Sequence, residues 1–118
     1  MDKVLFESEY KVMEIVWKNA PITAKEVTLI AAETIGWNKN TTYTVIKKLV
    51  EKGFLRREDP GFVCVPLVEK ENIQQKEVSS LLSRVFNGSK KAMFSALLNT
   101  EELTEKEREE LIDLIKRR

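Results

Sequence analysis

Apolar residues recur at helical spacing in the first third of the chain and predict two short helices there. The first helix covers about residues 7–19. Its apolar face consists of Val12, Ile15 and Val16. The second helix begins after Thr23, because Thr23 and Glu26 have the spacing of a capping box, in which each side chain satisfies a backbone amide of the other residue. Gly36 ends this helix, since glycine readily adopts the left-handed conformation at a helix C-terminus.

A third predicted helix, between Asn38 and Gly53, has an apolar face and an opposite polar face. The apolar face consists of Thr42, Val45, Ile46 and Leu49. The polar face consists of Asn40, Tyr43, Thr44, Lys47 and Lys48. The only acid in this helix is Glu51, whereas a solvated helix face more often mixes Glu with Lys. Because such a face can both donate hydrogen bonds and neutralise phosphate, the pattern predicts a DNA recognition helix.

Two short runs rich in β-branched and aromatic residues follow, at residues 54–57 and 62–66. Residues 58–61, with the sequence Glu-Asp-Pro-Gly, separate these runs and favour a turn, so the pattern predicts a β-hairpin. Three helices followed by a hairpin, with a basic third helix, are typical of a winged helix-turn-helix. We therefore expect a mainly α fold with a small β-hairpin, in which residues 1–68 form a winged helix-turn-helix DNA-binding domain.

The hairpin is expected to contribute little to DNA binding. Arg56 and Arg57 alternate sides of the first strand, so only one of them can easily face the DNA backbone, and we assign Arg56 to that role. The acids Glu58 and Asp59 at the hairpin tip would meet phosphate if the tip entered a groove.

Residues 69–118 have a different composition and predict a helical tail. The pattern places helices at about residues 69–86 and 90–98, and a capping box at Thr104 and Glu107 begins a third. The apolar positions of this tail are Val78, Leu81, Leu82, Val85, Met93, Phe94, Leu97, Leu111, Ile112 and Ile115. Three amphipathic helices of this size bury too little apolar surface to fold alone. We therefore expect a three-helix dimerisation region, with two tails packed about a twofold axis.

Composition narrows the classes of function. The net charge of the chain is only +1, but residues 37–57 contain six basic residues and a single acid, so the positive charge is concentrated around the third helix. The chain contains no His and a single Cys, Cys64, which excludes an intrachain disulfide and a cysteine-based zinc cluster. We expect no catalytic activity, no cofactor and no bound metal, and we assign Cys64, Trp17 and Trp37 to packing. No apolar run approaches the roughly 18 residues of a membrane span, so a cytoplasmic protein is expected.

The sequence resembles the penicillinase and methicillin repressor family (the BlaI, MecI and CopY group) over nearly its whole length. The residues that carry this resemblance are the segment Glu-Tyr-Lys-Val-Met-Glu-Ile-Val-Trp at 9–17, then Trp37, Thr41, Thr44 and Leu49, then Lys-Gly-Phe-Leu at 52–55 and Glu-Leu-Thr at 102–104. Each of these motifs is weak alone. Their order and separation in a chain of this size make the resemblance fairly specific.

This resemblance implies a dimeric bacterial repressor that binds a short dyad operator and blocks transcription. The positions that match the DNA contacts of the family are Asn40, Thr41, Tyr43, Thr44, Lys47 and Lys48. Among them, Tyr43 and Thr44 are expected to touch base edges or thymine methyl groups, whereas Lys47 and Lys48 are expected to bind phosphates.

The sequence departs from the family pattern at two regulatory positions. A membrane-anchored sensor protease inactivates the antibiotic-responsive members at an Asn-Phe bond, and the matching candidate cleavage site here is Asn99-Thr100. The copper-responsive members end in paired cysteines, whereas this chain ends in Lys116-Arg117-Arg118. Copper sensing through that cysteine cluster is therefore excluded.

One alternative of a different class stays open at this point. Winged-helix folds also serve as protein-interaction modules, in which case the basic face would bind an acidic partner without sequence-specific DNA binding. A small enzyme is disfavoured, because no nucleophile lies beside a credible base, phosphate loop or set of metal ligands.

Overall fold

A computed structural model of the chain describes residues 4–100 and 102–118. Over these residues it contains six helices and three strands, and it confirms all six predicted helices and the hairpin. The elements, numbered in chain order, are α1 (Glu7–Asn19), β1 (Ile22–Thr23), α2 (Ala24–Thr34), α3 (Lys39–Glu51), β2 (Leu55–Glu58), β3 (Val63–Pro66), α4 (Lys70–Phe86), α5 (Lys90–Thr100) and α6 (Glu105–Lys116).

The chain divides into two compact units, Met1–Gln74 and Gln75–Arg118. The boundary between them falls inside α4, a few residues beyond the end of the predicted DNA-binding domain. Ile73, in the first turn of α4, is buried in the core of the first unit.

The core of the first unit is formed by α1, α2, α3 and the sheet. Its fully buried apolar side chains include Val12, Met13, Val16, Ala24, Val27, Ala31, Ile46, Leu49 and Cys64. The predicted apolar faces of α1 and α3 therefore point inward, as amphipathic helices require, and Val27 and Ala31 of α2 do the same. Trp17 and Trp37 are half-buried against this core, and the indole Nε1–H of Trp17 donates to the carbonyl of Val68 at 2.9 Å.

A third strand that the pattern did not predict joins the hairpin. β1 pairs with β3, and β3 pairs with β2, so that three antiparallel strands have the order β1-β3-β2. β1 has only two residues, Ile22 and Thr23, which is too short to show the alternation by which strands are recognised in a sequence. Its pairing with Cys64 and Val63 attaches the start of α2 to the wing, which is the hairpin formed by β2, β3 and the turn between them.

Among the described residues of the first unit, one charged residue is buried. The residue Glu9 is 1% exposed, and its Oε1 atom accepts from the Phe6 backbone amide at 2.9 Å and from Lys52 Nζ at 2.8 Å. Lys52 follows α3 directly and also donates to the carbonyl of Val4 at 3.2 Å. Lys52 therefore belongs to an internal ion pair, although the sequence placed it among the cations of the basic segment.

The second unit contains the rest of α4 together with α5 and α6. The predicted capping box at the start of α6 is present, and its hydrogen bonds from the backbone amide and the hydroxyl of Thr104 lower the pKa of Glu107. Within the residues that the structure describes, no side chain between Gln75 and Arg118 is buried. None of the described helices is both long enough and apolar enough to cross a lipid bilayer.

Candidate nucleic-acid interface

The third helix, α3, has the two faces that the sequence predicts. Its inner face is buried and consists of Thr42, Val45, Ile46 and Leu49. Asn38 fixes the start of the helix, because its side-chain oxygen accepts from the Thr41 backbone amide at 2.8 Å. Gly53, with a φ of +82°, allows the chain to turn into β2 directly after the helix. The core and these two ends therefore fix the orientation of α3.

The outer face of α3 is open to solvent at five of the predicted positions. Asn40, Thr41, Thr44, Lys47 and Lys48 are all exposed. The Thr44 hydroxyl already donates to the Asn40 carbonyl at 2.9 Å, one turn earlier in the helix. Thr44 can therefore offer a partner its methyl group and hydroxyl lone pairs, a combination that suits a thymine methyl group better than a hydrogen-bond acceptor.

Tyr43 differs from the other predicted contacts because it is half-buried. Its ring lies against Phe62, with 6.2 Å between the ring centroids and a tilted geometry. The Lys39 ammonium lies 5.9 Å from the centroid of the Tyr43 ring. Tyr43 is thus held at the edge of the interface by a neighbour from the wing. The helical pattern alone gave no indication of Phe62, because this contact joins residues far apart in the chain.

The two arginines of the wing are each paired with an acid of the wing. Arg56 contacts Glu58 at 2.8 Å, and Arg57 contacts Asp59 at 3.2 Å. The Arg57 guanidinium carbon also lies 3.9 Å from the centroid of the Phe62 ring. Arg56 and Arg57 are successive residues of β2, so they lie on opposite sides of this strand as predicted.

The lysines of α3 differ from these arginines in their surroundings. Across residues 4–100 and 102–118, no carboxylate lies within 4.0 Å of the ammonium groups of Lys39, Lys47 or Lys48. These three cations can therefore pair with phosphate without first breaking an ion pair, whereas Arg56 and Arg57 must exchange a carboxylate for it.

The remaining predicted site residues lie in the second unit. Leu82, Met93 and Leu111 are half-buried, whereas the other predicted dimerisation residues are exposed: Val78, Leu81, Val85, Phe94, Leu97, Ile112 and Ile115. Asn99 and Thr100 are exposed and form the last two residues of α5.

Cys64 is buried in β3, in agreement with its assignment to packing. Burial raises the pKa of its thiol to about 11. In the described part of the chain, no group of three or more His, Cys, Asp or Glu side chains is arranged to hold a metal ion.

Known proteins that resemble this chain in sequence do so over nearly its whole length, and the family model and the relatives described below agree with one another. The sequence model of a family described as penicillinase repressor matches residues 5–117. A penicillinase repressor of Bacillus licheniformis is 28% identical over 111 residues, which cover 92% of this chain and 87% of that protein. The methicillin resistance regulatory protein MecI of Staphylococcus aureus strain N315 is 26% identical over 123 residues, which cover both proteins completely.

Two solved structures resemble the fold. The solution structure of the DNA binding domain of the repressor BlaI has a TM-score of 0.54 and 29% identity, and the match covers 61% of this chain and 93% of that domain. The Bacillus licheniformis BlaI monomeric form, in complex with the blaP half-operator, has a TM-score of 0.52 and 28% identity. That match covers 59% of this chain and 88% of the BlaI chain.

Proposed function

Because the chain belongs to the penicillinase repressor family, we propose that it represses transcription by binding a short dyad DNA operator as a homodimer. The observation that carries this proposal is the outer face of α3. Asn40, Thr41, Thr44, Lys47 and Lys48 are exposed there, while the opposite side of the same helix is locked into the core. An orientation fixed in this way lets a helix enter a major groove without further ordering of its backbone.

The proposed contacts of this face with DNA are of two kinds, contacts to phosphates and contacts to bases. Lys47 and Lys48 would neutralise phosphates, which positions the protein on the duplex without reading its sequence. Thr44 and Tyr43, together with Asn40 and Thr41, would approach base edges and thymine methyl groups, and these contacts discriminate between sequences. Arg56 would add a phosphate contact from the wing only after leaving Glu58.

The second unit would supply the twofold symmetry. Its exposed apolar positions, from Val78 to Ile115, are the surface on which a second copy would pack. A dimer of this kind presents two α3 helices to successive major grooves, with half-sites about 34 Å apart or further if the operator is longer. Repression would then be steric, because a bound dimer blocks access of the polymerase. We place this function in the cytoplasm.

A sensor protease is part of the proposal as a candidate regulator. The candidate bond, Asn99-Thr100, is exposed at the end of α5, where the last turn of a helix frays most easily. Cleavage there would detach α6 from the rest of the chain and remove Leu111, Ile112 and Ile115 from the dimer surface. A cleaved chain would lose affinity for the operator through loss of the dimer.

The DNA contacts can be tested with two variants of α3 and one control. We expect Lys47→Ala to weaken binding to all duplexes and to lower the slope of log affinity against log salt by about 2 for the dimer, because each copy loses one phosphate contact. Thr44→Ala should instead change the preference among duplexes selected from a random pool. Lys91→Ala removes the same charge from α5 of the second unit, which carries none of the proposed DNA contacts, and should leave affinity and slope unchanged.

The result of this titration decides between the two hypotheses. If the wild-type chain selects no duplex, and Lys47→Ala and Lys91→Ala bind DNA equally well, α3 is not a recognition helix. The basic face would then be the docking surface for an acidic protein, as in the alternative of a protein-interaction module.

A further inference from the structure

Four side chains form a continuous row that joins the recognition helix to the wing. Lys39 lies beside the ring of Tyr43, Tyr43 lies against Phe62, and Arg57 covers Phe62 at 3.9 Å. Cations and aromatic rings attract each other, and tilted ring pairs are favourable contacts. Within this row, Tyr43, a proposed base-reading residue, contacts Phe62 of the wing.

Phe62 has an unusual backbone conformation for its residue type. Its φ is +49°, in the left-handed region that Gly and Asn tolerate and that a bulky side chain rarely adopts. Asn87, the other non-glycine residue with positive φ among the described residues, is of the tolerant type. Strain of this kind persists only where surrounding contacts hold it, and it is concentrated at functional positions.

Contacts on both sides of Phe62 hold this conformation. Its carbonyl accepts from the backbone amide of Ala24, the first residue of α2, at 2.9 Å. Its own amide donates to Asp59 Oδ1 at 3.3 Å, and the same carboxylate oxygen accepts from Arg57. The backbone of Phe62 is thus held by α2 and by the wing turn, and its ring contacts both Tyr43 and Arg57.

We propose that Phe62 is a positioning residue for base recognition, which holds the Tyr43 ring in the orientation that α3 presents to the major groove. A tyrosine on a helix can adopt more than one rotamer, and a base contact requires only one of them. A neighbouring ring that occupies one side removes the alternatives before DNA arrives, so that less side-chain entropy is lost on binding. This inference rests on the proposed function, since it concerns the same DNA-binding face.

The test measures how strongly each variant discriminates between two DNA sequences, in addition to its affinity for each. The probes are the duplex that the purified full-length chain selects from a random pool and a scrambled duplex of the same composition. We expect Phe62→Leu to reduce the ratio of the two affinities by about 3- to 10-fold for each half-site, the amount that one aromatic pair contributes. Phe62→Tyr keeps a ring at this position and should retain the wild-type ratio.

A double-mutant cycle separates positioning from general packing. Tyr43→Ala should lower the ratio, and Phe62→Leu should cause no further loss in the Tyr43→Ala background, because its effect acts through Tyr43. Phe62→Met fills a similar volume without a ring and replaces the Leu variant if circular dichroism shows that the Leu variant is unfolded. Independent losses from the two substitutions, or an unchanged ratio in the folded Phe62 variant, would overturn the inference.

Lys47→Ala, measured with the same probes, distinguishes failure of the Phe62 inference from failure of the proposed DNA-binding function. If the wild type discriminates and Lys47→Ala weakens binding while Phe62→Leu has no effect on the ratio, this inference fails and the proposed function stands. If the wild type does not discriminate at all, the proposed function fails and this inference fails with it.

Discussion

The ion pair between Glu9 and Lys52 is the most unusual electrostatic contact in the first unit. The side chain of Glu9 is 2% exposed and that of Lys52 is 29% exposed. Water can therefore solvate the ammonium group in part, whereas the carboxylate has Lys52 as its compensating charge. The second oxygen of Glu9, Oε2, is buried without a hydrogen-bond partner in the described part of the chain. A buried pair of this kind adds little net stability, but removal of one partner leaves an uncompensated charge.

Substitution of Lys52 should therefore cost more than its partial exposure suggests. We expect Lys52→Met to lower the free energy of unfolding by about 2–3 kcal/mol, since the Glu9 charge stays buried without its cation. In that background, Glu9→Gln should restore much of the loss, because the neutral amide still accepts from the Phe6 amide. Urea unfolding of the wild type, the single variant and the double variant measures both effects. Equal stability of the single and double variants would show that the buried charge does not cause the loss.

Cys64 gives a second prediction at the residue scale. Burial raises the pKa of its thiol from 9.0 to about 11, so the reactive thiolate is disfavoured in the folded chain. At pH about 8, this shift alone lowers the thiolate population roughly 100-fold relative to the unfolded chain. We expect a thiol reagent to modify Cys64 slowly in buffer and rapidly in urea. A fast reaction in buffer would mean that β3 opens readily or that Cys64 is exposed.

Single residues show where reasoning from the sequence reaches its limit. Helical spacing correctly places Lys47 on the exposed face of α3, because that spacing determines the face. Lys52 is one of the six basic residues that the sequence concentrates at 37–57, although its ammonium group pairs with Glu9 on another helix. Tyr43 was placed on the open face, although Phe62 covers part of its ring. Both differences arise from contacts between residues distant in sequence, which no local pattern encodes.

Elements were more predictable than individual contacts. Helix ends depend on local chemistry, and the capping boxes after Thr23 and Thr104 and the glycine after α3 place three of those ends correctly. β1 was missed because a two-residue strand forms only when β3 is already beside it. The start of α2 is consequently held twice, by its cap and by the sheet.

The capping box of α2 predicts a dependence of stability on pH. Hydrogen bonds from the hydroxyl and the backbone amide of Thr23 lower the pKa of Glu26 below its usual 4.5. The carboxylate therefore stabilises the folded chain at pH above 4.5, and this contribution is lost as the pH falls through the lowered value. Glu26→Gln removes the titrating group and should make unfolding less sensitive to acid over that interval. Parallel pH profiles of the wild type and Glu26→Gln would contradict the assignment.

Loss of the hydroxyl of Thr23 affects the same element at neutral pH. We expect Thr23→Ala to lower the free energy of unfolding by about 1 kcal/mol, since an orphaned amide at the helix start loses its acceptor. Thr23→Ser keeps the acceptor and serves as the matched control in denaturant unfolding. If Thr23→Ala and Thr23→Ser were equally stable, the sheet contact of β1 would be sufficient to hold the start of α2.

On the scale of the whole molecule, the two units differ in how they bury apolar surface. The first unit has a closed core, whereas the described part of the second unit has no buried side chain. Val78, Val85, Leu97 and Ile115 are each more than half exposed, at 54%, 55%, 56% and 58%. Folded monomers rarely expose apolar surface so extensively, and a second copy of the same unit is the partner that our proposal assigns to it.

Introduction of a charge on this surface should dissociate the dimer into monomers. The resulting loss of operator affinity measures how much dimerisation contributes to binding. Leu97→Asp would bury a carboxylate at the proposed dimer contact, so we expect it to form a monomer in sedimentation equilibrium at concentrations where the wild type is a dimer. Two linked half-sites gain about 10²- to 10⁴-fold in affinity over one, and this gain should be lost on the full dyad. Binding to a half-operator should remain, because α3 lies in the other unit.

Leu29→Asp provides the matched control for the oligomeric state. Leu29 is 62% exposed on α2 of the first unit, so the same substitution adds the same charge to an exposed leucine outside the proposed dimer surface. This variant should stay dimeric. If Leu97→Asp were also dimeric, or if the wild type were monomeric, two recognition helices could not be joined through the second unit. Single copies would then have to meet on the operator, and binding to the two half-sites would lose its strong cooperativity.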